Sequence, residues 1–65
     1  MKEKLPYIFT VQYKCKHAPV SAIFRIEIWA DTEEKAYTVA KAYEMQLRKD
    51  NPWFGDAIST MLRLA

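Results

Sequence analysis

A thiol and an imidazole two residues apart, Cys15 and His17, are the nearest approach to a reactive pair in this sequence. Residues two apart share a face in a strand, so the two groups could meet if a strand ran that far. A cysteine–histidine nucleophile also needs a group that orients the imidazole and donors for a developing oxyanion, and neither stands nearby in the sequence. One cysteine and one histidine fall short of the roughly four ligands of a structural zinc site. The plainer reading is a half-buried cysteine beside a turn histidine. Ser21, Ser59 and the threonines have no other histidine to serve as base. Glu33 and Glu34, adjacent on a helix, diverge and read as capping charges. A single glycine allows no loop that cradles phosphates. These residue types describe a non-enzymatic chain, with no cofactor and no metal, that works by binding.

The elements that would carry a binding surface follow from periodicity. From Pro6 to Lys16 the residues alternate, with Tyr7, Phe9, Val11, Tyr13 and Cys15 on one face and Ile8, Thr10, Gln12, Lys14 and Lys16 on the other. Alternation with aromatic and β-branched residues predicts a half-buried strand, and Pro6 suits its first position. Residues 22–30 repeat the pattern: Ala22, Phe24, Ile26, Ile28 and Ala30 against Ile23, Arg25, Glu27 and Trp29. The connection His17–Ser21 is of hairpin length. A turn centred on Ala18 and Pro19 sets Val11 opposite Ile26, Phe9 opposite Ile28 and Ile8 opposite Trp29. A slip of one residue would set apolar against polar, whereas a slip of two keeps the faces matched.

Asp31-Thr32-Glu33-Glu34 predicts a helix start, with Asp31 or Thr32 as cap and acidic residues at the positive end of the dipole. Ala36, Val39, Ala40, Tyr43 and Leu47 then recur at helical spacing, and Asn51-Pro52 ends the helix. The same pair can cap a second helix in which Phe54, Ala57, Ile58, Met61, Leu62 and Ala65 form a stripe. Because Ile58, Thr60, Leu62 and Leu64 also alternate, a third strand over residues 57–64 after a Trp-Phe-Gly turn is the rival. The expected fold is α+β: a two-stranded antiparallel hairpin on one long helix, then a short C-terminal helix (ββαα), with ββαβ as the alternative.

A chain of 65 residues fits one domain and buries only about 60% of its unfolded surface, so partners or oligomerisation are the expected extra source of stability. Its apolar fraction of 51% argues for a folded core. No apolar run approaches the roughly 18 residues of a membrane span, and the charged N-terminus does not read as a signal peptide. With a lone thiol, the chain is expected to be cytoplasmic. The net charge of +2 is concentrated in the first thirty residues, too weakly to demand a nucleic acid.

Two binding readings result. In the first, the chain is a protein-binding regulator or inhibitor docking on a larger protein through an exposed sheet face or strand edge, with a homodimer possible. Its contact residues are Ile8, Gln12, Lys14, Ile23, Arg25 and Trp29, with Trp53 as a second anchor unless it plugs the helix–helix junction. Apolar and aromatic residues beside Arg and Lys match the composition of interface hot spots. In size and layout alone, the chain resembles the compact ββα accessory proteins of phages and mobile elements. In the second reading, Lys14, Lys16, Arg25 and Lys2 or Lys4 meet nucleic-acid phosphates while Trp29 stacks on a base. Against it, Glu27 lies in the same face and no helix carries a basic stripe. Tyr37, Lys41, Glu44 and Arg48 share a helix side that reads as solvated.

Overall fold

The computed structural model describes residues 3–64. Its elements are β1 (Leu5–Cys15), β2 (Ser21–Ala30), α1 (Glu33–Asp50) and β3 (Phe54–Arg63). The class is α+β, but the sheet has three strands in the order β2-β1-β3, both neighbours antiparallel to β1. The expected C-terminal helix is therefore replaced by a strand, and the hairpin is not two-stranded. The physical reason lies in β1: with β2 on one side, its other row of peptide groups still needs partners, and residues 54–63 supply them. The edges of the sheet are thus β2 and β3, while β1 has none.

The β1–β2 register differs by two residues from the sequence expectation. Val11 faces Phe24, Phe9 faces Ile26, Thr10 faces Arg25, Ile8 faces Glu27 and Pro6 faces Trp29. The Cys15 N–H donates to the Val20 carbonyl at 3.1 Å, which closes the turn around His17 and Ala18, one residue before the expected centre. A slip of two preserves the faces, so hydrophobic matching could not distinguish the registers. Pro6 is the second residue of β1. Its missing N–H falls on the final rung of the β1–β3 ladder, where the Leu64 N–H donates to its carbonyl at 2.9 Å.

Thr32 is the helix N-cap, its hydroxyl accepting from the Lys35 N–H at 3.2 Å. Asp31 instead pairs with the Lys35 ammonium at 3.2 Å. The helix ends at the expected place, with both the backbone and side-chain N–H of Asn51 donating to the Leu47 carbonyl at 2.9 Å. Where α1 meets the sheet it presents Ala36 and Ala40, both buried, so the backbones approach closely over Tyr7, Phe9, Val11, Tyr13, Ile28 and Ala30. Phe54 joins this core beside Tyr13 and Phe24. No helix among the described residues is long and apolar enough to cross a membrane.

Candidate docking face

The pleat decides what each face carries. Side chains opposite one another in an antiparallel ladder point to the same side, so the residues alternating with the core set all lie on the sheet face away from α1. Read across the sheet from β2 to β3, the rows are Ile23–Gln12–Ile58, then Arg25–Thr10–Thr60, then Glu27–Ile8–Leu62. Trp29 and Pro6 form the next row, and the Leu64 N–H reaches Pro6 from β3. Ile23, Trp29, Ile58 and Leu62 are 65, 55, 68 and 65% exposed. Isolated exposed apolar residues are ordinary; here Leu62, Ile8, Pro6 and Trp29 adjoin at one end of the face, while Ile23 and Ile58 flank Gln12 beyond the polar row Arg25–Thr10–Thr60.

The structure places six of the residues expected from the sequence on one face, Ile8, Gln12, Lys14, Ile23, Arg25 and Trp29, with Lys14 at its turn end far from Trp29. They share the face because a slip of two leaves side-chain parity unchanged. Sequence reasoning missed Ile58, Thr60 and Leu62, since β3 was read as a helix; the alternation of those very residues was the available signal. Trp53 does not join them. It stands half-exposed before β3, with its carbonyl accepting from the Lys16 N–H at 2.9 Å. Among the described residues there is one helix and so no helix–helix junction for it to plug, and Phe54 is the ring that is buried. Phe54 stacks on Tyr13 with centroids 4.6 Å apart, and Trp53 meets Phe54 edge-on at 6.1 Å.

A β-bulge between Tyr13 and Cys15 lets β3 set both Ala57 and Phe54 on the helix side. Gly55 lies close to β1 here: a Cβ at this position would lie 3.0 Å from the Lys14 carbonyl oxygen, so the backbone would have to yield by a few tenths of an ångström. Arg48 crosses to the same region, donating to the Gly55 carbonyl at 3.0 Å, and its guanidinium lies 5.0 Å from the Tyr13 ring centroid. Arg48 also pairs with Glu44 at 3.6 Å. Of the helix side expected to be merely solvated, Arg48 is thus tied to the sheet, while Lys41 rests over Tyr37 at 5.8 Å.

The basic residues do not form a single cluster. Lys14 ends the open face at the turn, opposite Ser21, and Lys16 lies beyond it. Trp29 lies opposite Pro6, eight positions along β1 from Lys14, or about 27 Å at about 3.4 Å per residue. Lys4 is exposed outside the strands, and Lys2 lies outside the described residues. Cys15 is half-buried and His17 exposed in the turn. Among the described residues, no three His, Cys, Asp or Glu side chains converge as a metal site would require. Compared with known proteins, the chain matches no family model, no curated protein and no solved structure.

Proposed function

We propose that this chain is a small non-enzymatic protein-binding module that docks on a larger protein through the open face of its sheet. The observation that supports this reading is the exposure of Ile23, Trp29, Ile58 and Leu62, each more than half accessible, on one face that no element of the described residues covers. Trp29, beside Glu27 and Arg25, supplies the kind of large, rigid anchor that dominates interface energetics. Thr10, Thr60 and Arg25 across the middle would supply oriented polar contacts within an apolar surround.

The test compares the wild type with Trp29→Asp and Ile58→Asp on the open face and Met45→Asp on the outer side of α1. A partner captured with tagged protein is purified and its affinity measured for each variant. The expected result is a loss of about tenfold or more for both face variants, none for Met45→Asp, and little change with salt. Equal binding by all variants removes the face from the mechanism. A steep fall with salt, together with binding to single-stranded oligonucleotides, favours the nucleic-acid reading instead.

A further inference from the structure

The outer edge of β2 is a second surface, and its sequence is matched to itself. Cys15 and Val20 form a hydrogen-bonded pair of the β1–β2 ladder through the 3.1 Å bond. Such pairs recur at every second residue, so Ala22, Phe24, Ile26, Ile28 and Ala30 turn their peptide groups toward β1. The peptide groups of Ile23, Arg25, Glu27 and Trp29 therefore point away from the sheet, and among the described residues no strand lies there. An edge of this length is a template for another strand.

We infer that β2 pairs antiparallel with β2 of a second copy about a two-fold axis at Ile26. This register joins the outward peptide groups of Arg25 to those of the second copy's Glu27, and those of Ile23 to the second copy's Trp29. On the open face it sets Arg25 against Glu27 at both symmetric positions and brings Ile23 beside Trp29. On the helix face, Ile26 meets Ile26, half-buried Phe24 meets Ile28, and Ala22 meets Ala30. The neighbouring registers that keep the faces matched do worse. An axis at Arg25 sets guanidinium against guanidinium, and one at Glu27 sets carboxylate against carboxylate, both destabilising in directly opposed pairs. Charge complementarity thus selects a single register and makes the second copy the fitting occupant.

The helix supports the same edge. Arg48, on one flank of α1, reaches Gly55 at the start of β3. The opposite flank, with Val39, Tyr43 and Gln46, forms a shallow groove whose lining is nearly all apolar, and Val39 and Tyr43 are exposed. A two-fold axis through β2 brings that flank of each helix toward its mate above a continuous six-stranded sheet. This pairing shares Ile23, Arg25 and Trp29 with the proposed docking face and leaves Ile58 and Leu62, on the β3 side of that face, free.

The test is the solution mass of the purified chain over a range of concentration, by light scattering or sedimentation, with four proteins. The wild type is expected to reach twice the monomer mass. Arg25→Glu and Glu27→Arg each oppose like charges at both symmetric pairs, and should weaken association about tenfold or more. The double variant Arg25→Glu/Glu27→Arg exchanges the signs and should restore wild-type association, a rescue that a general loss of fold would not give. In a Cys15→Ser background, Ile26→Cys should form an intermolecular disulfide on mild oxidation. Opposed residues of a non-hydrogen-bonded antiparallel pair stand about 4.5 Å apart between Cα atoms, within disulfide reach. Thr60→Cys, on the β3 edge, should not. A wild type that is monomeric throughout, a double variant no better than the singles, or cross-linking at Thr60→Cys in place of Ile26→Cys overturns the pairing.

Discussion

Replacing Tyr13 by phenylalanine should stabilise this protein. Tyr13 is 0% exposed, and its packing uses only the ring: stacked on Phe54 at 4.6 Å, edge-on to Phe24 at 6.2 Å, with the Arg48 guanidinium at 5.0 Å. Phenylalanine keeps all of that. The hydroxyl finds no hydrogen-bond partner among the described residues. A buried polar group left unsatisfied costs about 1–3 kcal/mol, and the small void left by one oxygen offsets part of the gain through lost dispersion. A net gain of about 1 kcal/mol corresponds to a rise of roughly 4–8 °C in the thermal midpoint of a domain this small. Urea melts should show the midpoint rising with an unchanged slope.

The same substitution has a pH signature. Burial holds the Tyr13 pKa above its ordinary 10.0, the Glu44 carboxylate adds to this, and Arg48 works against it. Above about pH 10, the unfolded chain releases this proton while the folded chain keeps it. The unfolded state then binds fewer protons, so this group's contribution, full below that pH, is lost as pH rises. Phenylalanine has no such proton, so the advantage of Tyr13→Phe over wild type should widen above about pH 10. A variant less stable than wild type by about 1 kcal/mol would show that the hydroxyl is satisfied after all. A gap that stays constant through the alkaline range would refute the titration argument.

Three further outcomes follow from particular contacts. Gly55→Ala forces a Cβ to within 3.0 Å of the Lys14 carbonyl oxygen; chemical denaturation should show a loss of about 1–3 kcal/mol, the range for overpacking. Thr32→Ala removes the acceptor of the Lys35 N–H and should lower stability by about 1 kcal/mol in the same assay, with Thr32→Asp restoring it. Ala40→Leu pushes a larger side chain into the contact between α1 and the sheet, where Ala40 is 1% exposed; a thermal melt should drop in proportion to about 1–3 kcal/mol.

The parts of the fold set by local chemistry were legible in the sequence. Alternation marked β1 and β2, Asp31-Thr32 and the two glutamates marked the start of α1 with the cap open between the first two, and Asn51-Pro52 marked its end. The third strand was legible only as the alternative to a second helix, because it is apolar on both sides. Phe54, Ala57 and Met61 lie toward α1, while Ile58 and Leu62 lie on the open face. With apolar residues on both faces, the alternation of Ile58, Thr60, Leu62 and Leu64 competes with a helical stripe drawn through the same segment. What decides the matter is tertiary, the unsatisfied edge of β1, which no local window contains. The open face was largely legible because parity alone assigns Ile8, Gln12, Ile23, Arg25 and Trp29 to it, whatever the even-numbered slip. Its β3 third was hidden by the same ambiguity that hid the strand.

The bare face and the open β2 edge also bear on why so short a chain is stable. Fully burying an isoleucine, leucine or larger side chain contributes about 1.5–3 kcal/mol, and Ile23, Trp29, Ile58 and Leu62 forgo more than half of theirs. Covering them would therefore add several kcal/mol, a substantial part of the roughly 5–15 kcal/mol that holds a typical domain. Whatever binds only the folded chain stabilises it by mass action. If pairing along β2 supplies part of this, thermal stability must depend on protein concentration in the wild type and in the charge-exchanged double variant. The single reversals, in the same concentration range, should melt lower and with less dependence on concentration. Covering the open face adds stability only when a partner is present, so the two surfaces separate in one melting experiment: the β2 edge responds to the chain's own concentration, and the face carrying Ile58 and Leu62 to that of its ligand.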